Sequence, residues 1–185
     1  MSLNKIVTSS RGRLAQLLLG QGNNQQARAS DVNTIIDGIL KPPVIGGTAY
    51  ATPTYLTASQ SNATCLLNAA AGNVFVLPPA ITANIGVTYR FYQTVTVTSN
   101  AAIIQTASTS DLFSSGSYIA SSVVATPTQS GYSPNGSSNY YISVNGSTKG
   151  GIIGDYYEVT CIAVNTWLIT GTVTATGTAA TPFAG

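Results

Sequence analysis

From Tyr50 to the end of the chain, apolar and polar residues alternate in short runs broken by Gly, Asn, Ser or Pro, and this pattern constrains the fold most. In the segment Val87–Val97, Val87, Tyr89, Phe91, Val95 and Val97 share one face, while Thr88, Arg90, Tyr92, Thr94 and Thr96 share the other. Successive side chains of a strand point to opposite sides, so this segment reads as a half-buried strand. Thr166–Val173 repeats the pattern, with Trp167, Ile169 and Val173 opposite Thr166, Thr170 and Thr172. Further predicted strands are Thr64–Asn68, Val74–Leu77, Ala101–Gln105, Tyr118–Ala125, Tyr140–Val144 and Tyr156–Val164. Asn145-Gly146 is a strong hairpin dipeptide and Asn135-Gly136 a second turn signal. About eight short strands without interleaved helices predict a mainly β fold, an antiparallel β-sandwich or jelly roll. A parallel α/β sheet is excluded for want of helices.

Composition narrows the chemistry. The 185 residues carry seven Lys and Arg, five Asp and Glu, and no His. Charged residues make up 6% of the chain, where a typical soluble domain has about 25%. Ser, Thr, Asn, Gln and Gly take their place. A hydrophobic content of 44% supplies material for a core and argues against disorder throughout. No uncharged apolar run reaches about 18 residues, so no membrane span is expected. Seven scattered cations cannot supply the phosphate neutralisation that nucleic-acid binding requires. With no His and two Cys, the usual zinc patterns and the Ser-His or Cys-His nucleophile pairs are missing. The expectation is a protein that is not an enzyme, with no catalytic residue, metal or cofactor. Leu14–Leu19 is short and broken by Gln16, which reads poorly as a secretory signal. The Asn-X-Ser/Thr triplets at Asn62, Asn135 and Asn145 therefore read as chance matches.

Charge divides the chain near residue 45. Residues 1–41 hold Lys5, Arg11, Arg13, Arg28 and Lys41 against Asp31 and Asp37, a net of +3. Residues 42–185 hold Arg90 and Lys149 against Asp111, Asp155 and Glu158, a net of −1. The expected organisation is an arm, residues 1–45, and a β domain, residues 46–185. Two short helices are predicted in the arm. Leu14, Leu17 and Leu18 recur at helical spacing before Gly20 and Gly22. Ser30 or Asp31 then caps a second helix with Val32, Ile35, Ile36 and Ile39 along one face, and Lys41-Pro42-Pro43 ends it. Such short helices need a partner for their apolar stripe, either the chain's own β domain or another protein.

The outward positions of the predicted strands are mostly Thr, Ser and Asn. Threonine keeps β propensity without charge, so identical copies can pack side by side at little ion-desolvation cost. That favours an assembled protein over a lone monomer with an unusual surface. Cys65 and Cys161 read as small buried side chains, and a disulfide between them would need an oxidising compartment. Asp155 and Glu158 are three apart, so on a strand they face opposite ways and make no glycosidase pair. Asp155 is expected to close the glycine-rich turn at 150–154, read as a hairpin turn, and Glu158 to pair with Arg90 or Lys149. That turn lacks the Lys-Ser/Thr of a phosphate loop. Tyr140-Tyr141 and Tyr156-Tyr157 each put one ring inside and one outside, and the outer rings could stack on sugar.

The order of motifs carries a resemblance. After the arm and its Ala29-Ser30-Asp31-Val32-Asn33 helix start come Leu56-Thr57-Ala58-Ser59 and Leu66-Leu67-Asn68-Ala69-Ala70-Ala71-Gly72. Then follow Val76-Leu77-Pro78-Pro79-Ala80, Gly86-Val87-Thr88-Tyr89-Arg90-Phe91 and Gly154-Asp155-Tyr156-Tyr157-Glu158-Val159. Asn165-Thr166-Trp167-Leu168-Ile169-Thr170-Gly171 and a tail with Pro182-Phe183-Ala184 close the series. Over residues 50–185 the chain resembles the β-sandwich structural proteins of tailed bacteriophages, especially head decoration (cement) proteins and related fibre modules. The resemblance implies a virion protein made in the host cytoplasm, a homotrimer on the capsid surface that clamps the major capsid protein. On that reading Arg11, Arg13, Leu14, Leu17, Leu18, Arg28, Ile35, Ile36 and Ile39 make the capsid contacts. The alternative is a tail-fibre or head-fibre module whose tyrosines and 126–140 loop contact host glycan. A third is a secreted adhesin or pilin-like subunit, with an oxidised Cys65–Cys161 pair.

Overall fold

The computed structural model describes residues 41–124 and 128–185, and the fold is that of the unit Pro43–Gly185. The nine predicted capsid-contact residues, from Arg11 to Ile39, lie outside the described residues, as do both predicted arm helices. The described chain is mainly β. Its strands are β1 (Val44–Gly46), β2 (Thr54–Tyr55), β3 (Thr64–Leu67), β4 (Val74–Val76), β5 (Thr88–Gln93), β6 (Ala102–Gln105) and β7 (Leu112–Phe113). They continue with β8 (Tyr118–Val123), β9 (Gln129–Tyr132), β10 (Tyr141–Val144), β11 (Tyr156–Ala163), β12 (Thr166–Ala175) and β13 (Phe183–Ala184). Among the described residues, helix is confined to the single 3-10 turns Ala58–Gln60 and Thr82–Asn84.

The strands form two sheets. The larger has eight strands in the order β1-β3-β5-β11-β12-β8-β9, with β7 also paired to β12; the smaller has five, in the order β13-β10-β6-β4-β2. The sheets are mixed, which corrects the expectation of an antiparallel fold. In the first half of the chain β1, β3 and β5 run parallel in the large sheet, while β2, β4 and β6 run parallel in the small one. Consecutive strands therefore alternate between sheets. Parallel neighbours need a long crossover, usually a helix. Here each of these crossovers carries a strand of the opposite sheet, with at most a single 3-10 turn beside it, so parallel pairing arises without an α-helix. The second half adds antiparallel neighbours, β5-β11, β11-β12 and β8-β9 in the large sheet and β6-β10 and β10-β13 in the small one.

The period-2 pattern places the core where expected. Tyr89, Phe91, Cys65, Leu67, Tyr157, Val159, Cys161, Trp167 and Ile169 of the large sheet are buried in one cluster with Phe75, Ile104, Ile142 and Phe183 of the small one. Phe75 meets Phe91, and Phe113 meets Phe183, in edge-on ring contacts that join the two sheets. The segment Val87–Val97 departs in one respect. Its strand ends at Gln93, whose buried amide donates to the Leu67 carbonyl at 3.2 Å, and Val95 beyond it is exposed.

Both turn signals fall in loops, but Asn145-Gly146, expected as a hairpin, does not join paired strands. Asn135-Gly136 and Asn145-Gly146 lie between strands of opposite sheets rather than in two-residue hairpins. In each, the asparagine Oδ1 accepts two backbone N–H groups, those of Ser137 and Ser138 for Asn135 and of Ser147 and Lys149 for Asn145. This side-chain bonding to the local backbone stabilises an open loop as readily as a hairpin. The glycine-rich segment 150–154 also lies on the crossing from β10 to β11, so it is not a hairpin turn between paired strands. Part of the expected 126–140 loop is strand β9, antiparallel to β8.

Candidate interaction surface

The outward face of the large sheet is built by the register of its strands. Gly46, Leu66, Tyr92, Tyr156, Thr172, Ala120 and Gly131 are successive partners across seven strands. Val44, Thr64, Arg90, Glu158, Thr170 and Tyr118 form the adjacent row. At about 4.8 Å per strand the face is roughly 30 Å wide. Its centre is a polar cluster on β5 and β11. Arg90 Nε donates to Glu158 Oε2 at 2.8 Å, and the Tyr156 hydroxyl donates to the same oxygen at 3.1 Å. The Tyr92 and Tyr156 rings lie 5.1 Å apart, and the Thr88 and Thr160 hydroxyls bond at 2.9 Å. Hydrogen bonding to Glu158 raises the Arg90 pKa, which keeps the guanidinium charged. Burial, followed by the bond to Glu158, raises that of Tyr156.

The pairing of Glu158 with Arg90 agrees with the sequence expectation and is the one ion pair among the described residues. Asp155 also acts as expected. It is buried, its Oδ2 accepts from Gly151 N at 2.7 Å and Ile152 N at 3.1 Å, and its Oδ1 accepts from Thr174 N at 2.8 Å. Desolvation raises its pKa against the opposing effect of those three backbone donors. Asp111 is buried as well and takes the Ala80 N–H at 3.0 Å. Two of the three acids of the β domain thus point inward and hold backbone, and the third is neutralised on the sheet face. Lys149 carries the remaining charge of residues 43–185.

Cys65 and Cys161 are free and buried. They lie on β3 and β11, which are separated by β5, so their strands are about 10 Å apart, beyond the roughly 7 Å limit for a disulfide. Desolvation pushes the Cys65 thiol up to about 12. No group of three His, Cys, Asp or Glu side chains among the described residues is arranged to hold a metal. Of the tyrosine pairs, Tyr156 and Tyr157 divide as expected, with Tyr157 in the core. Tyr140 and Tyr141 do not: both are half-buried and their rings meet at 5.0 Å. No helix of the described residues is long and apolar enough to cross a membrane.

Sequence reasoning missed one group of surface residues. Ile81, Ile85, Ile162 and Val164 are each 42–49% exposed and sit at one end of the large sheet. Their only signal was the presence of β-branched residues around a turn, where polar residues are usual. Compared with known protein families, curated proteins and solved structures, the chain matches none.

Proposed function

We propose that the chain is a structural virion protein, a capsid decoration (cement) protein that binds the outer surface of a phage head and stabilises the major capsid protein lattice. In this reading the two sheets form a β-sandwich, three copies associate, and the basic residues of the arm meet carboxylates on the shell. The observation that supports it is the wide outward face of the large sheet, which carries threonines and a single neutralised ion pair. Packing such a face against a neighbour removes few charges from water, so association carries little desolvation penalty. Three joined arms also raise the effective concentration of each at the shell.

Light scattering of the sized protein at low micromolar concentration tests the assembly. The expected mass is three times the 18.9 kDa of one chain, and a stable monomer would overturn the argument from the surface. Deleting residues 1–41 is expected to abolish cosedimentation with empty capsids while leaving the β domain folded. The deletion stops there because β1 starts at Val44 and the Pro43 carbonyl accepts the Thr64 N–H at 2.8 Å.

A second reading, a fibre module that contacts host glycan, is favoured by the Tyr92–Tyr156 ring pair beside Arg90 and Glu158. Aromatic faces flanked by charged hydrogen-bonding groups suit a sugar ring. A glycan array separates the two, since decoration predicts no saccharide binding and the fibre reading predicts a hit lost on Tyr92→Ala.

A further inference from the structure

The two Asn-Gly pairs of the β domain share a local sequence but not their surroundings. Asn135-Gly136 sits between β9 and β10, and Asn145-Gly146 between β10 and β11. Both asparagines are exposed, and both are held alike at the amide. The Asn135 Oδ1 accepts from Ser137 N at 3.0 Å and Ser138 N at 2.9 Å, and its Nδ2 donates to Ser138 Oγ at 2.8 Å. The Asn145 Oδ1 accepts from Ser147 N and Lys149 N, both at 3.0 Å, and its Nδ2 donates to Thr148 Oγ1 at 3.3 Å. The glycine nitrogens differ. Gly146 N donates to the Gly150 carbonyl at 2.7 Å, and it is crowded by Gly151, on which a Cβ would lie 2.7 Å away. Gly136 N makes no hydrogen bond among the described residues.

We infer that Asn135 is a site of spontaneous covalent modification, at which the free Gly136 nitrogen closes a succinimide and releases ammonia, while the fold protects Asn145. Solvent hydroxide removes the Gly136 N–H proton, and the nitrogen attacks the Asn135 Cγ. As that C–N bond forms, the carbonyl electron pair moves onto Oδ1, where the Ser137 and Ser138 N–H groups stabilise the charge. The pair then returns, the Cγ–Nδ2 bond breaks, and Nδ2 leaves as ammonia with a proton from water. Water opens the ring at either carbonyl, giving aspartate or isoaspartate, so one water is taken up and one ammonia lost. Glycine suits the step because it has no side chain to obstruct ring closure. The same attack at Asn145 must first break the bond from Gly146 to Gly150. An aspartate at position 135 still accepts from Ser137 N and Ser138 N, and its charge strengthens both bonds. The Ser138 hydroxyl can turn to donate to it. The change takes the net charge of residues 42–185 from −1 to −2. The inference does not rest on the decoration reading.

Ageing of the full-length protein tests this, in a mildly alkaline, ammonia-free buffer at physiological temperature, with circular dichroism recording that it stays folded. Chymotrypsin cuts after Tyr132 and Tyr141 and so places the two pairs in separate peptides. Mass spectrometry reads amide-to-acid conversion in each, and an isoaspartyl methyltransferase with a labelled methyl donor counts the isoaspartate. Conversion at Asn135 is expected to be about tenfold or more faster than at Asn145, the factor that one hydrogen bond of ordinary net strength carries. In chain unfolded by urea the two rates should converge, since both sites read Asn-Gly-Ser. Equal rates in the folded protein, or faster conversion at Asn145, overturn the inference. Folded protein that keeps both amides while the unfolded chain converts overturns it too, because the fold then protects Asn135 as well. A difference that persists unchanged in urea would belong to the sequence rather than the fold and would equally sink it.

Discussion

Phe75 and Phe91 meet edge to face, with ring centroids 5.4 Å apart and planes at 76°, and they belong to different sheets. Phe75 lies on β4, the strand that carries the chain from β3 across to the small sheet before it returns as β5. The contact therefore packs a crossover strand against one of the two parallel strands it connects. Either ring→Ala is expected to destabilise the fold by about 3–5 kcal/mol. A double-mutant cycle in urea should return a coupling of about 0.5–1.5 kcal/mol, as for other edge-on ring pairs. Additive losses would show that the rings contribute only through separate burial.

Asp155 is a buried carboxylate with raised pKa and three backbone donors. The sign follows from the shift. A raised carboxyl pKa means the folded state holds the proton more tightly, so its stabilising contribution is full below the ordinary value of 3.8 and is lost as pH rises through the folded pKa. The melting temperature of the wild type should carry this falling component as pH rises above 3.8, and Asp155→Asn should lack it. At pH 7 the variant is expected to lose about 1–3 kcal/mol, because its amide N–H group faces donors where an acceptor stood.

Alkali should act on the core. The Cys65 thiol is pushed up from 9.0 to about 12 by burial, and burial raises the Tyr89 and Tyr157 phenols above their ordinary value. Each favours the protonated form in the folded state, so stability falls as pH rises past 9. Circular dichroism between pH 8 and 12 should record a steep fall in melting temperature, shallower in Cys65→Ala measured against its own neutral value. Native thiols should also resist iodoacetamide at pH 8 and react on unfolding.

The Tyr157 hydroxyl is buried without a hydrogen-bond partner. Its desolvation is uncompensated, so Tyr157→Phe is expected to be neutral or to stabilise the protein by up to about 1 kcal/mol. A loss above that in chemical denaturation would mean that the hydroxyl is bonded in solution.

Gly146 and Gly86 both have positive φ, 72° and 93°, but differ in their surroundings. A Cβ at Gly146 would lie 1.8 Å from the Val97 carbonyl oxygen, whereas nothing lies within 4 Å of one at Gly86. Gly86→Ala should cost only backbone strain, about 1 kcal/mol. Gly146→Ala should cost clearly more, because the loop and the 95–97 segment must separate. Urea midpoints of the two variants compare the terms directly.

The alternation of residues such as Tyr89, Phe91, Trp167 and Ile169 with Thr88, Arg90, Thr166 and Thr170 determined the β class, most strand positions and the face each side chain takes. It did so because burial on one side of a strand leaves a period-2 record in the sequence. Local chemistry likewise made Asp155 legible as a turn closer and Glu158 as a partner of Arg90. The strands β1, β2, β7, β9 and β13 were not legible: β2, β7 and β13 have two residues each, and β1 (Val-Ile-Gly) and β9 (Gln-Ser-Gly-Tyr) carry glycine and, in β9, polar residues that read as turn. Strand direction was invisible for a deeper reason. A half-buried strand has the same alternation whether its neighbour runs parallel or antiparallel, so only the tertiary path reveals that β4 crosses between β3 and β5. The apolar end was likewise decided by that path, which brings Ile81 and Ile85 beside Ile162 and Val164, residues far apart in sequence.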